Sequence, residues 1–411
     1  RSGPRSMVVD PMVRRAPDRA GGGRSPVMTT LRVAFLLEQA WHRVPGGTAV
    51  AAVESARALA EREDVDLVGL TARHRSGDLP PLLAGPDGGP AGSTVAFLEG
   101  SLVGSRLPRP VLYEAWHRTG RPRVDRMSGL SGVPPDVVHA SGGAVPATGA
   151  PLVATIHDLA WRRHPEAATR RGRRMFEGWL ADARRADRIV CPSEGTRHDL
   201  VDAGFDDDRI RVVPLGVVPA HVEPGLPGRL RSRYGIDGPF VLWVGTLEPR
   251  KNLDRLVAAM SASATLTDVP LVLVGPEGWR TDVARTVAPL GERALVVGSV
   301  DESEKRAWYE AADVFCLPSL HEGFGLPVLE AMAHGTPVVT SAGTATGEVA
   351  GDDALLVDPT DVGAIAEALS AVLANAATAD RLAAAGRIRA AAHPWSRTAE
   401  GLVDVYREVV R

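Results

Sequence analysis

Cysteine is nearly missing from this chain: 411 residues hold only two, Cys191 and Cys316. They lie far apart, with no CxxC and no Cys/His cluster. That excludes a disulfide scaffold and a thiolate metal site, and it fits a reducing, cytoplasmic compartment. A chain of this length needs no disulfides, because folding buries most of the surface that the unfolded chain exposes. Long apolar runs are missing too: no stretch of about 18 apolar residues is present to span a bilayer. Strong charge of one sign is also absent. A formal net charge of −3 argues against a dedicated nucleic-acid binder. Lysine is as scarce as cysteine, with Lys251 and Lys305 alone among arginines, so a lysine inside a motif stands out.

What is present is a repeated alternation. Residues 1–30 carry Arg, Pro and Gly without the continuous apolar core of a secretory signal. They are expected to be disordered and are set apart from the fold, with Met7, Met12 and Met28 as candidate starts. Leu31–Leu37 is a continuous apolar run of the kind buried on both faces of a parallel sheet. An Ala-rich helix follows to about Glu61, then apolar runs at 65–70, 137–139, 152–156, 188–191 and 210–213. A Gly/Pro-rich loop is expected over 71–94 and a helix over 166–186. Pro and Gly interrupt the pattern at 219–238, after which apolar runs return at 240–244, 271–274, 295–297, 314–317, 337–340 and 355–357.

Strands alternating with helices make βαβ units, so the fold class is α/β, with two Rossmann-like, doubly wound parallel sheets. Facing each other across a cleft, such sheets place ligands at the carboxyl ends of their strands. The expected boundaries are 31–220 for the first domain, 221–237 for a linker and 238–394 for the second domain, with 395–411 as a terminal segment. The halves echo each other. Ala186-Asp187 leads a strand into Pro192-Ser193-Glu194-Gly195, and Ala312-Asp313 leads one into Pro318-Ser319 and then Glu322-Gly323. One strand-to-helix turn used twice explains this, as does chance.

The stretch richest in chemistry is PSLHEGFGLPVLEAMAHG, Pro318 to Gly335. Gly323 and Gly325 permit a tight turn with exposed amides, and Pro327 suits a first helical turn. A glycine turn feeding a helix amino end favours an anion through its free amides and the helix dipole. Glu322 precedes the turn and Glu330 lies one turn into the helix. Side chains lean toward the amino end, so both carboxylates are expected to face one pocket. Beside an anion, their natural task is to accept hydrogen bonds from hydroxyls, as on a sugar and a ribose. A solvated Glu322 and a Glu330 that serves only the dipole is the plainer alternative. Gly245-Thr-Leu-Glu-Pro-Arg-Lys-Asn252 closes the first strand of the second half. There Arg250, as a planar fork, and Lys251, as a point charge, can neutralise a diphosphate. Two adjacent cations are ordinarily just solvated; their place at a strand's carboxyl end argues for function.

These two segments, with Pro337–Thr340, Glu348-Val349, Leu355–Pro359 and Trp395, resemble glycosyltransferase family 4. The resemblance runs over essentially residues 31–411 and is densest in the second half. It implies the GT-B fold and a retaining, metal-independent hexosyl transfer from a nucleoside diphosphate sugar, with no cofactor. It also implies that the first domain takes the acceptor, that the second takes the nucleotide sugar, and that the helix over 395–411 crosses back onto the first. Glu322 would hold hydroxyls of the donor sugar and Glu330 those of the ribose. Arg250, Lys251 and the turn of Gly323, Phe324, Gly325 and Leu326 would meet the departing diphosphate. The base would lie near Gly275 and Val300, with Gly245 at the strand end beside it. His157, closing the strand at Thr155-Ile-His-Asp158, would stand against the donor sugar in the transition state. Gly46-Gly47 would approach the donor phosphates and the acceptor, although a Gly-Gly pair alone also makes an ordinary turn.

Relatives often carry Pro where this chain has Gly347 before Glu348, and that exchange is expected to loosen the loop. The acidic triplets Asp64-Val-Asp66 and Asp206-Asp-Asp208 are expected to be solvated, and no catalytic metal is expected. Ala154–Ala160 with Pro165-Glu166, and Cys191–Glu194 with Asp199-Leu200, look like the mannosyltransferase branch, which implies GDP-mannose. UDP-hexoses are the second reading. The acceptor implied is a glycan, a lipid-linked acceptor or a small molecule. Residues 162–188 carry nine arginines around Met175, Phe176, Trp179 and Leu180 at helical spacing. A core stripe with a solvated basic face is favoured over docking at the inner face of a membrane. Two further functions fit a fold of this class: a GT-B epimerase, which the Arg-Lys and Glu…Glu motifs weaken, and a silent nucleotide-sugar-binding subunit. Against the latter stand His157, Arg250, Lys251, Glu322 and Glu330.

Overall fold

The apolar runs become strands. The computed structural model describes residues 30–42, 46–74, 101–127, 129–130, 132–165, 168–218, 221–278 and 282–411. The tail up to residue 29, Pro45, Glu166, Pro219 and most of the expected 71–94 loop lie outside the described residues. Among those described, seven strands form the first sheet: β1 Leu31–Leu36, β2 Val65–Thr71, β3 Leu102–Gly104, β4 Val137–Ala140, β5 Leu152–Thr155, β6 Arg188–Cys191 and β7 Ile210–Val212. Six form the second: β8 Val241–Val244, β9 Leu271–Val274, β10 Ala294–Gly298, β11 Val314–Leu317, β12 Val338–Ser341 and β13 Leu355–Val357. The orders are β3-β2-β1-β4-β5-β6-β7 and β10-β9-β8-β11-β12-β13, and the pairings run parallel. Each sheet therefore reverses its winding at its first strand, which opens a crevice at the carboxyl ends of β1/β4 and β8/β11.

Alternation along β1 explains why a strand so uniformly apolar is stable. Val33 and Phe35 belong to one core, Ala34 and Leu36 to the other, so both faces are covered. The helix Trp395–Val410 supplies part of that cover. Its Leu402, Val403 and Tyr406 are buried in the same core as Phe35. The chain reaches it by a crossing at which the Val217 amide donates to the His393 carbonyl at 2.9 Å.

The segment 221–237, expected as a linker, carries a helix, Leu226–Arg233. Pro227 falls in the first turn, where a missing N–H does no harm, and Leu230 is buried. The helix expected over 166–186 begins later, as Arg170–Ala183, after a short turn at Ala160–Arg163. Thr169 caps it by accepting from the Gly172 amide. Within it Leu180 is buried, Phe176 and Trp179 pack edge to face, and Met175 is exposed beside Arg170, Arg171 and Arg174. Finally, Gly347 does not loosen a loop but sits buried inside the helix Ala345–Ala350. A Cβ there would stand 2.6 Å from the Ser341 carbonyl oxygen.

The echo between the halves is structural. Asp187 Oδ2, just before β6, accepts from the Leu152 amide that opens β5 at 2.8 Å. Asp313 Oδ2, just before β11, accepts from the Phe240 amide before β8 at 2.9 Å. Each aspartate fastens its strand to the start of a neighbour.

Candidate active site

The site begins with the turn after β8. Asn252 holds a left-handed conformation, φ 60°, which Asn tolerates better than most residues. Its side-chain amide donates to the carbonyls of Pro318 at 2.8 Å and Pro359 at 2.7 Å, tying the turn to the ends of β11 and β13. The Leu320 amide donates to the Arg250 carbonyl at 2.8 Å. Two segments seventy residues apart thus become one platform, with Arg250, Lys251 and Glu322 on it.

Glu322 is nearly buried and is gripped from three sides. Arg250 Nη1 lies 2.5 Å from Oε2, Lys251 Nζ 2.7 Å from Oε1, and Ser319 Oγ donates to Oε1 at 3.0 Å. Arg250 also donates to the His321 carbonyl at 2.9 Å and pairs with Glu248 at 2.7 Å. Burial alone would raise the Glu322 carboxyl, but the charges of Arg250 and Lys251 outweigh it and hold it well below the usual carboxylate range. Burial works against the charge on Arg250, yet Glu322, Glu248 and Asp158 together raise its pKa. Glu248 itself is raised, chiefly by burial. Gly245 lets this happen: a Cβ there would meet the Lys251 stem at 3.0 Å.

The glycine turn follows directly. Gly325 caps the helix Leu326–His334 with φ 107°, no side chain caps its amino end, and Pro327 lies in the first turn. Gly323 is pressed against the first domain, where a Cβ would fall 1.9 Å from the His157 carbonyl oxygen. Its own carbonyl accepts from Ser193 Oγ at 2.7 Å and Thr196 Oγ1 at 3.1 Å. Gly47 opens the helix Gly47–Ala60 across the cleft, and a Cβ on it would meet Leu326 at 3.8 Å. Glu348 spans the cleft as well: its carboxylate accepts from the amides of Glu194 and Gly195, at the amino end of the helix Glu194–Asp202, at 2.8 and 3.2 Å.

His157 follows β5 and points Nε2 at the Ser141 carbonyl, 2.9 Å away. A carbonyl only accepts, so Nε2 carries the proton and Nδ1 is left as the acceptor of the neutral ring. Burial lowers its pKa, against the bond to Ser141. Beneath it lies a cavity of about 20 Å³, room for one water, lined in part by His139, Ser141 and Thr155. His139 is wholly buried between Tyr406 OH at 2.6 Å and Thr155 Oγ1 at 2.7 Å.

The structure thus gathers His157, Arg250, Lys251, Glu322 and the 323–326 turn, with Gly46-Gly47 opposite. Glu330 shares no partner with Glu322. Its oxygens take Lys305 Nζ at 2.9 Å and Tyr309 OH at 2.8 Å. Gly275 abuts Gly245, where a Cβ would stand 2.1 Å from the Gly245 carbonyl oxygen, and Val300 follows β10, half-buried. Sequence reasoning missed Glu248, Asn252, Ser193, Ser319 and the Lys305–Glu330 pair. Glu248 and Asn252 lay inside a motif already singled out and Ser193 and Ser319 inside the echoed turns, whereas nothing local pairs Lys305 with Glu330. Of the acidic triplets, Asp64 is taken by Arg62 and Arg407, and Asp207 by Arg197. No group of three or more His, Cys, Asp or Glu among the described residues is placed to hold a metal ion.

Comparison with known proteins agrees with this architecture. The profile of Glycosyltransferase Family 4 matches residues 45–221, and that of Glycosyl transferases group 1 matches residues 238–375. A D-inositol 3-phosphate glycosyltransferase of Streptosporangium roseum is 32% identical over 88% of this chain and 88% of its own. The O-antigen chain mannosyltransferase B of Escherichia coli is 30% identical over 62% of this chain and 70% of its own. Among solved structures, sucrose-phosphate synthase from Thermosynechococcus elongatus aligns with a TM-score of 0.65 at 23% identity, over 92% of this chain and 98% of that one. Anabaena HepE in complex with UDP-glucose aligns with a TM-score of 0.66 at 16% identity, over 92% and 100%. At such identities the structural likeness speaks for the fold.

Proposed function

The chain belongs to glycosyltransferase family 4, and from that premise we propose that it transfers a mannosyl group from GDP-mannose to an acceptor hydroxyl. The transfer retains configuration at the anomeric carbon and uses no metal ion or other cofactor. The observation that carries this reading is the clamp of Arg250 and Lys251 on Glu322, beside the uncapped helix end at Gly325.

As the bond from the anomeric carbon to the diphosphate oxygen breaks, its electron pair leaves with the diphosphate. Arg250, Lys251 and the amides of the glycine turn meet that charge where it develops. Glu322 holds both cations extended before the donor arrives. A carboxylate offers about four lone-pair sites, so its three protein bonds leave one for a sugar hydroxyl. Nδ1 of His157 accepts from the sugar on the opposite wall, and the Glu330 side of the helix receives the ribose. The acceptor oxygen attacks from the face that the diphosphate leaves, and its proton passes to that diphosphate.

The mannosyl choice draws support from the mannosyltransferase relatives; UDP-hexose is the second reading, since HepE was solved with UDP-glucose. A thermal-shift panel of GDP-, UDP-, ADP- and dTDP-sugars separates them. Ligand at about 100 times its dissociation constant stabilises by about 2.7 kcal/mol. A shift with GDP-mannose is expected, and a shift with a UDP-sugar alone replaces the donor. Binding without transfer, equal in wild type and Glu322→Ala, would instead make this a silent binding subunit.

A further inference from the structure

Away from the clamp, two buried polar atoms of opposite character stand unpartnered in one short turn. After β1 the chain makes a single 3-10 turn, Glu38–Trp41. Glu38 is wholly buried, yet only one of its oxygens is used: Oε2 accepts from the Ala72 amide at 2.8 Å and stands 2.9 Å from His74 Nε2. Oε1 has no hydrogen-bond partner; Arg109 Nη1 faces it across an ion pair of 4.0 Å, too long for a hydrogen bond. Trp41 Nε1 is also buried and unpartnered. The two side chains meet at His74, whose Nε2 stands 2.9 Å from Glu38 Oε2 and whose ring stacks on Trp41 with centroids 4.5 Å apart.

Buried polar groups in folded proteins are almost always paired, so these two atoms mark a place for a guest. The guest has to donate to Oε1 and accept from Nε1. An ammonium only donates, and a phosphate or carboxylate only accepts and is repelled by Glu38. A hydroxyl does both. The turn is also fixed to the wall that carries His157. Gln39 Nε2 donates to the Gly142 carbonyl, Ser141 Oγ donates to the Leu36 carbonyl, and the Ser141 carbonyl receives His157 Nε2. The orphan pair and His157 therefore sit on one scaffold, at the carboxyl ends of the neighbouring strands β1, β4 and β5.

We propose that Glu38 and Trp41 together recognise one hydroxyl of a polyol acceptor, a sugar or cyclitol ring that is uncharged where it meets this turn. The proposal rests on the glycosyl-transfer reading and adds the acceptor's address.

Calorimetric titration of wild type, Glu38→Gln and Trp41→Phe tests it, with myo-inositol, D-inositol 3-phosphate and methyl α-D-mannoside as probes, with and without GDP. Glu38→Gln puts an N–H where the free acceptor stood; Trp41→Phe keeps the ring and deletes the donor. At least one probe should bind wild type and bind both variants about tenfold or more weakly, the loss expected for one charged or buried hydrogen bond. The thermal shift with GDP-mannose should be unchanged in both variants. On the wild type alone, one monodeoxy analogue of the bound probe should lose affinity by a similar factor, a result that needs no variant to fold. Binding of no probe, or equal binding by all three proteins, overturns the proposal and leaves the two atoms to water. Should no sugar nucleotide shift the wild type, the transfer reading fails by itself, and the titrations without GDP still decide the polyol site.

Discussion

Ser193 in the first domain donates to the carbonyl of Gly323 in the second at 2.7 Å, and so the glycine turn takes its position from both halves. The same turn is packed so closely on His157 that no side chain fits at 323. Gly323→Ala should therefore push the two walls apart, because its Cβ would meet backbone rather than a flexible side chain. A misplacement of about 1 Å costs about 100-fold in rate. Steady-state transfer measures this, and a kcat within a few-fold of wild type would refute the tight apposition.

Arg250→Ala removes one of the two cations assigned to the leaving group. The expected loss is about 10²–10³ in kcat, or about 3–4 kcal/mol. Arg250→Lys should recover little of it, since a single ammonium cannot bridge Glu248, Glu322 and the His321 carbonyl as the planar fork does. A lysine variant with near-normal kcat would show that charge alone suffices.

Glu322→Ala has a separate signature in stability. It leaves Arg250 and Lys251 buried against each other without their shared carboxylate. Breaking a buried pair from one side costs about 3–5 kcal/mol. Urea unfolding of the ligand-free protein should show a loss of that order, whereas a substitution of exposed Glu194 should show little.

Acid should destabilise the protein through its buried histidines. Burial, aided by neighbouring His157, pushes His139 down to about 3, against about 6.5 in the unfolded chain. Between those values the unfolded state binds a proton that the folded state refuses, so stability rises with pH. The contribution is complete above pH of about 6.5 and is lost progressively as pH falls toward about 3. His157, His321 and His334 shift in the same direction. Thermal midpoints between pH 7 and 5 should therefore fall in wild type and fall less in His139→Gln, by one proton's share of the slope. Parallel curves would count against a neutral His139.

Much of this architecture was legible in the chain, and for a plain reason. Strands such as Leu271–Val274 and Val314–Leu317 are buried on both faces, so their apolar runs stand out without any partner being known. β3 escaped notice because this three-residue edge strand, Leu102–Gly104, is largely exposed and has no such run. Arg250, Lys251 and Glu322 were readable because motif and strand end coincide. The bond from His139 to Tyr406 joins residues 267 apart in the chain, and nothing local announces it. The orphan pair at Glu38 and Trp41 was invisible for a different reason: an unmet hydrogen bond exists only once the surrounding structure has excluded water.

The helix Trp395–Val410 has a bearing on how the protein is made. It seals the face of the first sheet that holds Phe35, with Tyr406 reaching His139 on β4. On a ribosome that sheet emerges early, while its cover is translated only after the whole second sheet. Domains commonly fold as they emerge, with unsheltered apolar surface prone to aggregate. Here the first domain has to wait, its Phe35 face covered only in part by the helix Gly47–Ala60, until the last turn of helix arrives. A chain halted before residue 395 should depend on chaperones even though every strand of both sheets has been made.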